Sequence, residues 1–343
     1  MILITGGGTG GHLVIAKAIK EELIAHGIAP VYIGSQYGQD QKWFAHDSDF
    51  SYTYFLESKG VVNKKGLQKL FSLWHIVRLA FTCKALLKKH HVRAVFSVGG
   101  YSAAPASLAA IISGIPLFIH EQNAIKGKLN TLLKPFAKIF FSSYDTNATL
   151  TDYPIREPFF DKQRIRTEFK TLIFLGGSQG ASFINALAQT LAPLLHQKGI
   201  KIIHQTGSKE FDTLSSFYIT KGIPADVFDF TNEMAEKLNL ADIAISRSGA
   251  STLWELCASG IPTLFIPFPH AAANHQYFNA KALSDKGLAL IEHQNTLDTA
   301  TLIQKLESLD LSFISHALII SIQRDGAKTI VEHLLHYEKE TKC

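Results

Sequence analysis

The chain has 343 residues, of which 46% are hydrophobic and 18% are charged, and its formal net charge is +5. A chain of this composition buries large cores, which excludes intrinsic disorder, and a prior of about 150 residues per domain predicts two domains. The three cysteines lie far apart and the N-terminus lacks a basic stretch, so neither a disulfide framework, nor a zinc site, nor a signal peptide is indicated.

The chain opens with a short apolar strand, Ile2-Leu3-Ile4, followed by a glycine-rich turn at 6–11 and an apolar helical segment at 13–24. Such a turn directs backbone N–H groups and the positive end of the helix toward an anion. His12 ends the turn and is a candidate base or hydrogen-bond donor, although most histidines are structural. The second strand is predicted at 31–33, and residues 31–35 contain none of the acid expected there, so the dinucleotide-binding fingerprint is incomplete.

Asp47-Ser48-Asp49 has the D-x-D spacing that binds a metal ion in some sugar transferases. It follows no predicted strand and lies among polar residues. We therefore interpret it as a surface turn, and we predict neither a metal ion nor another cofactor.

The interval between Glu57 and Glu121 contains no acidic residue, and Trp74 and other large apolar residues are interleaved with its cations. A basic segment with Trp and Phe suits an anionic membrane surface, to which each cation contributes about 1 kcal/mol. An ordinary amphipathic helix, with its apolar face on the core, explains the same pattern. No nucleic-acid partner is predicted, because no binding motif accompanies the charge. The basic residues are Lys59, Lys64, Lys65, Lys69, Arg78, Lys84, Lys88, Lys89 and Arg93.

Residues 103–119 carry no charge, but they contain Pro105 and Pro116 and are fewer than the roughly 20 apolar residues that a bilayer requires. We predict a buried helix, a Gly-Ile-Pro turn and a strand here.

Two patterns recur along the chain. The order of strand, glycine-rich turn and helix returns at 172–195, and the helix end, Gly, Pro and strand of 113–119 return at 259–266. Two repeats in the same order predict two domains of one architecture, each a parallel sheet wrapped by helices. Further strands are predicted at 94–98, 139–142, 201–205, 227–230 and 243–245.

The turns at 176–180 and 248–252 also follow predicted strands. Three such turns indicate a phosphate-bearing ligand in a cleft. Glu255 lies one helical turn after Ser251, where its carboxylate could accept hydrogen bonds from ribose hydroxyls. The alternative is an exposed first-turn acid that the helix dipole favours.

Taken together, these motifs resemble those of the MurG family of peptidoglycan glycosyltransferases. The matching stretches run through nearly the whole chain in family order: Gly7-Gly8-Thr9-Gly10-Gly11-His12, Gly99-Gly100-Tyr101, His120-Glu121-Gln122-Asn123, Pro154-Ile155-Arg156, Gly176-Gly177-Ser178-Gln179-Gly180-Ala181, His204-Gln205-Thr206-Gly207, Arg247-Ser248-Gly249-Ala250, Thr252 with Glu255, and Asn274-His275-Gln276 with Asn279-Ala280.

The resemblance implies an α/β protein of the GT-B type, with two Rossmann-like domains whose parallel sheets face a central cleft. Residues 1–155 would form an acceptor- and membrane-facing domain and residues 156–325 the UDP-sugar-binding domain. Residues 326–343 would form a C-terminal helix that crosses back to the N-terminal domain. The implied reaction is a metal-independent, inverting transfer of N-acetylglucosamine from UDP-N-acetylglucosamine to the 4-hydroxyl of undecaprenyl-linked muramyl-pentapeptide. The enzyme would act as a peripheral protein at the cytoplasmic face of the bacterial inner membrane, bound through the Lys64–Lys89 region.

The resemblance also assigns residues. The uridine and its phosphates would be held by Arg156, Ser178 and the backbone at Thr231. The diphosphate would be bound by Ala250, Ser251 and Thr252, with Leu253 and Trp254 beside them. Glu255 would bind the ribose, and Gln276 would bind the hydroxyls of the transferred sugar. The acceptor side would be lined by Thr9, Gly10, Gly11, His12, Tyr101 and Asn123, with His12 as the candidate base and Arg156 and Glu255 as further catalytic candidates. Among the histidines, the residues alone give His120 as a weaker second candidate after His12. Tyr153, Ser102-Ala103-Ala104 and Ser251 depart from the family pattern, which affects the geometry of the acceptor loop rather than the class of reaction.

Two other functions are consistent with this fold. A UDP-N-acetylglucosamine 2-epimerase would make the manno isomer from the donor alone, and it would leave the Trp74 segment without a purpose. A non-catalytic nucleotide-sugar-binding membrane adaptor would bind the donor without releasing UDP when the acceptor is supplied.

Overall fold

Runs of four or five residues rich in Ile, Leu, Val and Phe form the central strands of two parallel sheets, as apolar β-branched and aromatic side chains favour. The structure, a computed structural model, describes residues 1–60, 66–177 and 179–340. The chain divides into unit 1, which comprises residues 1–155 and the segment from Arg324 onward, and unit 2, which comprises Arg156–Gln323.

Unit 1 contains a seven-stranded sheet and its helices. In chain order, its elements are β1 (Ile2–Thr5), α1 (Gly10–Ala25), β2 (Val31–Ser35), α2 (Asp40–Phe44), β3 (Tyr52–Leu56), α3 (Gly66–Lys89), β4 (Ala94–Ser97), α4 (Ala104–Ile112), β5 (Leu117–Glu121), α5 (Lys128–Leu133), β6 (Ile139–Ser142) and β7 (Thr149–Leu150).

Unit 2 contains a six-stranded sheet. Its elements are α6 (Glu157–Asp161), β8 (Thr171–Leu175), α7 (Ser182–Gln197), β9 (Lys201–Gln205), α8 (Phe211–Thr220), β10 (Ala225–Phe228), α9 (Met234–Leu240), β11 (Ile243–Ser246), α10 (Ala250–Ala258), β12 (Thr263–Phe265), α11 (His275–Ser284), β13 (Ala289–Ile291), α12 (Thr299–Glu307) and α13 (Leu311–Ile320). The last helix, α14 (Gly326–Glu340), belongs to unit 1 and packs on α1.

In both sheets, the order of the strands reverses beside the strand that comes first in the chain. The strand order is β3-β2-β1-β4-β5-β6-β7 in unit 1 and β10-β9-β8-β11-β12-β13 in unit 2, and all of these pairs are parallel. The chain therefore leaves β1 and β4, and likewise β8 and β11, toward opposite sides. In open α/β sheets, ligands bind at the carboxyl ends of the strands at such a switch point.

Helix α3 divides its apolar residues between the core and the surface. Ala80, Cys83 and Leu87 are buried in the core that α3 shares with α4. The other large apolar residues of α3 include a set that is exposed: Leu67, Leu70, Phe71, Leu73, Trp74, Val77 and Phe81. An ordinary amphipathic helix explains the first group and not the second. Among the described residues, α3 is the one helix with the length and composition to cross a membrane, and it is packed here as a structural helix of unit 1.

The predicted elements match the structure in the interior and differ at the edges. Residues 103–119 contain the buried helix α4, the turn and the strand β5, so that prediction is confirmed. The strand predicted at 227–230 is wrong by two residues, because β10 pairs in register with β9 and ends at Phe228. Strands β3, β7 and β13 were not predicted. They are edge strands of two to five residues, where a partly exposed surface removes the continuous apolar signal.

Candidate functional site

The first glycine-rich turn lies in backbone contact with the turn after β4. Gly7 N donates to Gly99 O at 3.1 Å. A Cβ added to Gly100 would lie 2.2 Å from Gly7 O, and Gly100 has a φ of +77°. Only glycine tolerates both the backbone conformation and this approach. The switch point of unit 1 is therefore made of the turn residues that the sequence singled out.

Asp40, which the sequence did not reveal, anchors this turn from behind. Its side chain is fully buried, and Oδ2 accepts from Gly8 N at 2.6 Å while Oδ1 accepts from Ser35 N at 3.1 Å. The Tyr32 hydroxyl lies 3.1 Å from Oδ1 and 2.9 Å from Gly6 O. Hydrogen bonds to a buried carboxylate are stronger than neutral ones. The only sequence signal for this role is that Asp40 begins a helix beside a glycine-containing loop.

Tyr101 packs against the same turn. A Cβ on Gly8 would lie 2.5 Å from the Tyr101 ring, and the Tyr101 hydroxyl donates to Tyr37 O at 2.7 Å. The half-buried ring therefore forms one wall beside the turn, as the acceptor-side assignment of Tyr101 requires.

His12 is the third residue of α1 and is half-buried. Its Nδ1 lies 3.0 Å from the hydroxyl of Thr9, an exposed residue, and its Nε2 lies 2.9 Å from Nε2 of Gln122, a buried residue. The imidazole is thus held at both nitrogens, between the turn after β1 and the loop after β5. Sequence reasoning named His12 and not Gln122, although Gln122 stands inside a matching motif.

His120, the second candidate base, is fully buried beside the ring of Tyr153. Burial lowers the pKa of His120 to about 3, with a smaller contribution from His12, so it is neutral at physiological pH. A fully buried imidazole cannot contact a substrate, and His12 is the histidine of the two that has exposed surface.

Glu121 orders the loop that carries Asn123. Its buried carboxylate accepts from Asn123 N at 3.0 Å, Gly127 N at 2.8 Å and Asn130 Nδ2 at 2.9 Å. Asn123 itself is half-buried at the end of β5. The structure brings Thr9, Gly10, Gly11 and His12 together with Tyr101 at the switch point, and the Gln122 contact brings the Asn123 loop to the same edge.

Asp47 and Asp49 are engaged with a lysine. Nζ of Lys20, which is buried, lies 2.7 Å from both an Asp47 and an Asp49 carboxylate oxygen. Both carboxylates of the D-x-D string therefore pair with Lys20 of α1.

In unit 2, the turns after β8 and β9 interlock. A Cβ on Gly180 would lie 2.3 Å from Thr206 O, and one on Gly207 would lie 2.6 Å from Gly180 Cα. His204 fixes this contact from the core, because it lies 3.1 Å from Asn185 Oδ1, and Asn185 Nδ2 donates to Thr206 O at 3.1 Å. Burial lowers the pKa of His204 to about 4, so the ring is neutral. Ser178 lies outside the described residues.

Helix α10 begins at the switch point of unit 2. Gly249 precedes it in an extended conformation with open space around its Cα, and Ala250 and Ser251 are buried while Thr252 is half-buried. Asn279 of α11 holds the turn that precedes α10, because its side-chain amide donates to Ser248 O at 3.2 Å. The first N–H groups of a helix have no partner within it, and they suit an anion.

Glu255 and Arg156 are close in space although they are distant in the chain. Arg156 immediately precedes α6, which packs on α10, and Glu255 is half-buried in α10 next to Trp254. Burial raises the pKa of Glu255 to about 8, and the Arg156 charge opposes this rise. The exposed first-turn acid considered from the sequence is therefore wrong, because burial sets the behaviour of this carboxyl group.

Two other assigned residues lie at the same edge of the sheet. Gln276 Oε1 accepts from Phe268 N at 2.9 Å and so holds the segment after β12, while Thr231 follows β10 and accepts from Glu233 N at 3.0 Å. Apart from Arg156 and Ser178, the residues assigned in unit 2 thus follow the carboxyl ends of its strands.

Comparisons with known proteins agree with this arrangement. Residues 2–142 match the glycosyltransferase family 28 N-terminal domain and residues 171–316 the glycosyltransferase family 28 C-terminal domain. The UDP-N-acetylglucosamine–N-acetylmuramyl-(pentapeptide) pyrophosphoryl-undecaprenol N-acetylglucosamine transferase of Campylobacter fetus is 54% identical over 98% of this chain and 99% of its own. The protein of the same name from Wolinella succinogenes is 49% identical over 97% and 99%.

Solved structures show the same fold. The crystal structure of Acinetobacter baumannii MurG superposes with a TM-score of 0.76 at 26% identity, over 98% of this chain and 99% of that one. The glycosyltransferase SnogD from Streptomyces nogalater has a TM-score of 0.67 at 14% identity, over 96% and 99%.

Two parallel α/β units, each with glycine turns at its switch point, are the architecture of a GT-B glycosyltransferase. Because both halves match family 28 and the named relatives cover nearly the whole chain, the chain belongs to the MurG family within glycosyltransferase family 28.

Asp40→Asn tests how the first turn is held. The amide cannot accept from all three donors as the carboxylate does, so we expect the free energy of unfolding to fall by about 1.5–3 kcal/mol, as for the loss of hydrogen bonds to a charged group. Chemical denaturation measures the change. Asp285→Asn, in an exposed ion pair with Lys281, is the matched control and should change stability by less than about 1 kcal/mol. Equal effects of the two substitutions would contradict the anchoring role.

Proposed function

We propose that this protein transfers N-acetylglucosamine from UDP-N-acetylglucosamine to the 4-hydroxyl of the muramyl sugar of undecaprenyl-pyrophosphoryl-muramyl-pentapeptide, in peptidoglycan synthesis. The observation that carries the proposal is the match to transferases of that printed name over nearly the whole chain. The same matches do not favour an epimerase or a binding adaptor. The likeness to glycosyltransferase structures supports the reaction class.

The donor is assigned to unit 2. The start of α10, with Ala250, Ser251 and Thr252, would receive the diphosphate, and Leu253 and Trp254 would lie beside it. Arg156, Ser178 and the Thr231 backbone would hold the uridine and phosphates, Glu255 the ribose and Gln276 the sugar hydroxyls. The support is that the described members of this set lie near the carboxyl edge of one sheet, where the first N–H groups of helix α10 have no acceptor within the helix.

The acceptor is assigned to unit 1. Thr9, Gly10, Gly11, Tyr101 and Asn123 would line its site, and His12 would be the base. In a single displacement, the acceptor oxygen bonds to the anomeric carbon while the bond to UDP breaks on the opposite face, and His12 takes the hydroxyl proton. The departing diphosphate gains negative charge, which the α10 dipole and Arg156 stabilise in the role that a divalent cation has in other transferases.

UDP release tests this proposal directly. We expect release when the lipid-linked muramyl-pentapeptide is present, little without it, no manno isomer from the donor alone, and no loss of activity with a chelator. His12→Ala should lower kcat by about 100-fold or more with little change in the KM of the donor, because a base acts in the transition state and not in donor binding. UDP release at the same rate with and without the acceptor would contradict the proposed reaction. An unchanged kcat in His12→Ala would show that His12 is not the base.

The raised pKa of Glu255 predicts how donor binding depends on pH. Ribose hydroxyls donate hydrogen bonds, so the ionised carboxylate binds them better than the protonated acid. Donor affinity should therefore rise as the pH increases through about 8, by about tenfold between pH 7 and 9, with a proton released on binding. Calorimetry with UDP-N-acetylglucosamine measures both quantities. Glu255→Gln should bind more weakly and without this slope, and a variant that kept the slope would exclude Glu255 as its source.

Membrane binding is assigned to the exposed face of α3. Trp74 and Phe71 are 63% and 71% exposed, next to cations of the same helix such as Arg78, Lys84 and Lys88. Exposed aromatic residues beside cations favour an interface of anionic lipid. Lys64 and Lys65 of the predicted basic region lie outside the described residues. A peripheral position at the cytoplasmic face of the bacterial inner membrane follows as part of the proposal.

Vesicle binding tests whether the exposed face of α3, rather than exposed apolar residues elsewhere, contacts the membrane. Phe71→Ser with Trp74→Ser should weaken sedimentation with phosphatidylglycerol vesicles by about tenfold or more, because burying one large apolar side chain contributes about 1.5–3 kcal/mol. Activity on a short-chain, water-soluble acceptor should remain. The matched control is Phe313→Ser on α13 of unit 2, where Phe313 is 63% exposed. Equal binding by the two variants would contradict the assignment to α3.

A further inference from the structure

The imidazole of His12 is held between one exposed and one buried partner. Thr9 is exposed and lies 3.0 Å from Nδ1, whereas Gln122 is only 7% exposed and lies 2.9 Å from Nε2. Nδ1 is therefore the outer nitrogen, on the side of the glycine turn, and Nε2 is the inner one. A substrate that approaches the turn meets the Nδ1 side first.

The side-chain amide of Gln122 is only half satisfied. Its Nε2 faces the His12 ring, while its Oε1 is buried with no hydrogen-bond partner among the described residues. A buried carbonyl oxygen without a partner is unfavourable and needs an explanation. A half-turn of the terminal amide exchanges its oxygen and nitrogen: it pairs the oxygen with the inner nitrogen of His12 and moves the amide nitrogen to the place that the oxygen occupied.

The two amide orientations correspond to two states of the imidazole. With the amide nitrogen toward His12, Nε2 must carry a lone pair and the proton sits on Nδ1. With the amide oxygen toward His12, the proton sits on Nε2, and the Nδ1 lone pair faces the Thr9 side. Only the second state lets the outer nitrogen act as a base, and the same orientation also suits the doubly protonated ring.

We propose that Gln122 is a positioning residue that holds a proton on His12 Nε2, so that Nδ1 receives the proton of the acceptor hydroxyl. The inference rests on the proposed function, in which His12 is the base. The acceptor O–H proton passes to Nδ1, directly or through the Thr9 hydroxyl, as its oxygen bonds to the anomeric carbon. The bond to UDP breaks with its electron pair on the nucleotide. The resulting imidazolium donates its Nε2–H to Gln122 Oε1 in a charge-assisted hydrogen bond, which satisfies the buried oxygen.

At Nε2, His12 faces the uncharged side-chain amide of Gln122. The titratable neighbour on β5 is His120, which is neutral and fully buried. The nearby carboxylates of Asp40 and Glu121 are engaged with Gly8 N and Ser35 N, and with Asn123, Gly127 and Asn130, respectively. An uncharged amide therefore orients this base, where other enzymes use a carboxylate for the same task.

Three variants and two measurements test the proposal. Gln122→Met keeps the length of the side chain and removes the hydrogen bond, whereas Gln122→Glu keeps an acceptor for Nε2–H. Nitrogen-15 NMR of the labelled histidines, with the His12 signal identified by its loss in His12→Ala, reports which nitrogen carries the proton. We expect wild type and Gln122→Glu to hold the proton on Nε2, and Gln122→Met to lose that preference.

The kcat of each variant should depend on whether His12 carries its proton on Nε2. Gln122→Met should lower kcat by roughly tenfold to a hundredfold without changing the KM of the donor, as expected when a catalytic group loses the partner that orients it. Gln122→Glu should restore kcat to within a few-fold. The double variant His12→Ala with Gln122→Met should be no slower than His12→Ala alone, because Gln122 acts through His12.

Each contrary result has a separate meaning. A wild-type tautomer in Gln122→Met, or a further loss of kcat in the double variant, would overturn the role of Gln122. A wild-type enzyme without acceptor-dependent UDP release would instead overturn the proposed function. If Gln122→Met fails to fold, the Gln122→Glu spectrum decides the question, since a neutral ring with its single proton on Nδ1 in that variant would contradict the proposal.

Discussion

Close contact between glycine turns at the carboxyl ends of parallel strands is the constraint on which both units depend. Gly7 and Gly100 meet in unit 1, and Gly180 and Gly207 meet in unit 2, at distances that no side chain would allow. These contacts bring the starts of α1 and α7 beside neighbouring turns, so that backbone N–H groups from separate segments share one edge of each sheet. Because peptide dipoles at helix starts attract anions without any charged side chain, each unit can receive a phosphate-bearing substrate through its backbone.

Buried polar residues then hold the glycine turns and the neighbouring loop in position through side-chain hydrogen bonds. Asp40 accepts from the first turn, and His204 with Asn185 secures the second, each from inside the fold. Glu121 orders the loop that carries Gln122 and Asn123. These groups do not lie where a substrate would bind, and their effect is on the positions of those that do. Burial has a different consequence for Glu255, since it keeps this carboxyl group near the point of ionisation at physiological pH and couples its charge to Arg156.

Helix α3 has one side that packs in the core of unit 1 and another side that is exposed. One side carries small residues, Ala80 and Cys83, that pack closely on α4, while the other carries aromatic residues that the described part of unit 1 leaves exposed. Packing needs only the first side. The exposed side therefore favours an interaction outside the fold, and the cations on the same helix favour an anionic partner. This supports a division in which unit 1 handles the lipid-linked substrate and unit 2 the soluble nucleotide sugar.

The sequence by itself determined the fold class, the buried central strands and the identity of the glycine turns, because these depend on local periodicity and on residue types with few conformational alternatives. It also marked His12 through its place at the end of a turn. Only the tertiary structure decided which way the apolar side of α3 faces, that Glu255 is half-buried beside Arg156, and that Asp40 and Gln122 hold the first turn and His12. The physical reason is that each of these depends on a partner 32 to 110 residues away along the chain or on burial by other elements, and neither leaves a periodic signal. The edge strands β3, β7 and β13 escaped prediction for the same reason, since pairing with a neighbour and not an apolar run defines them.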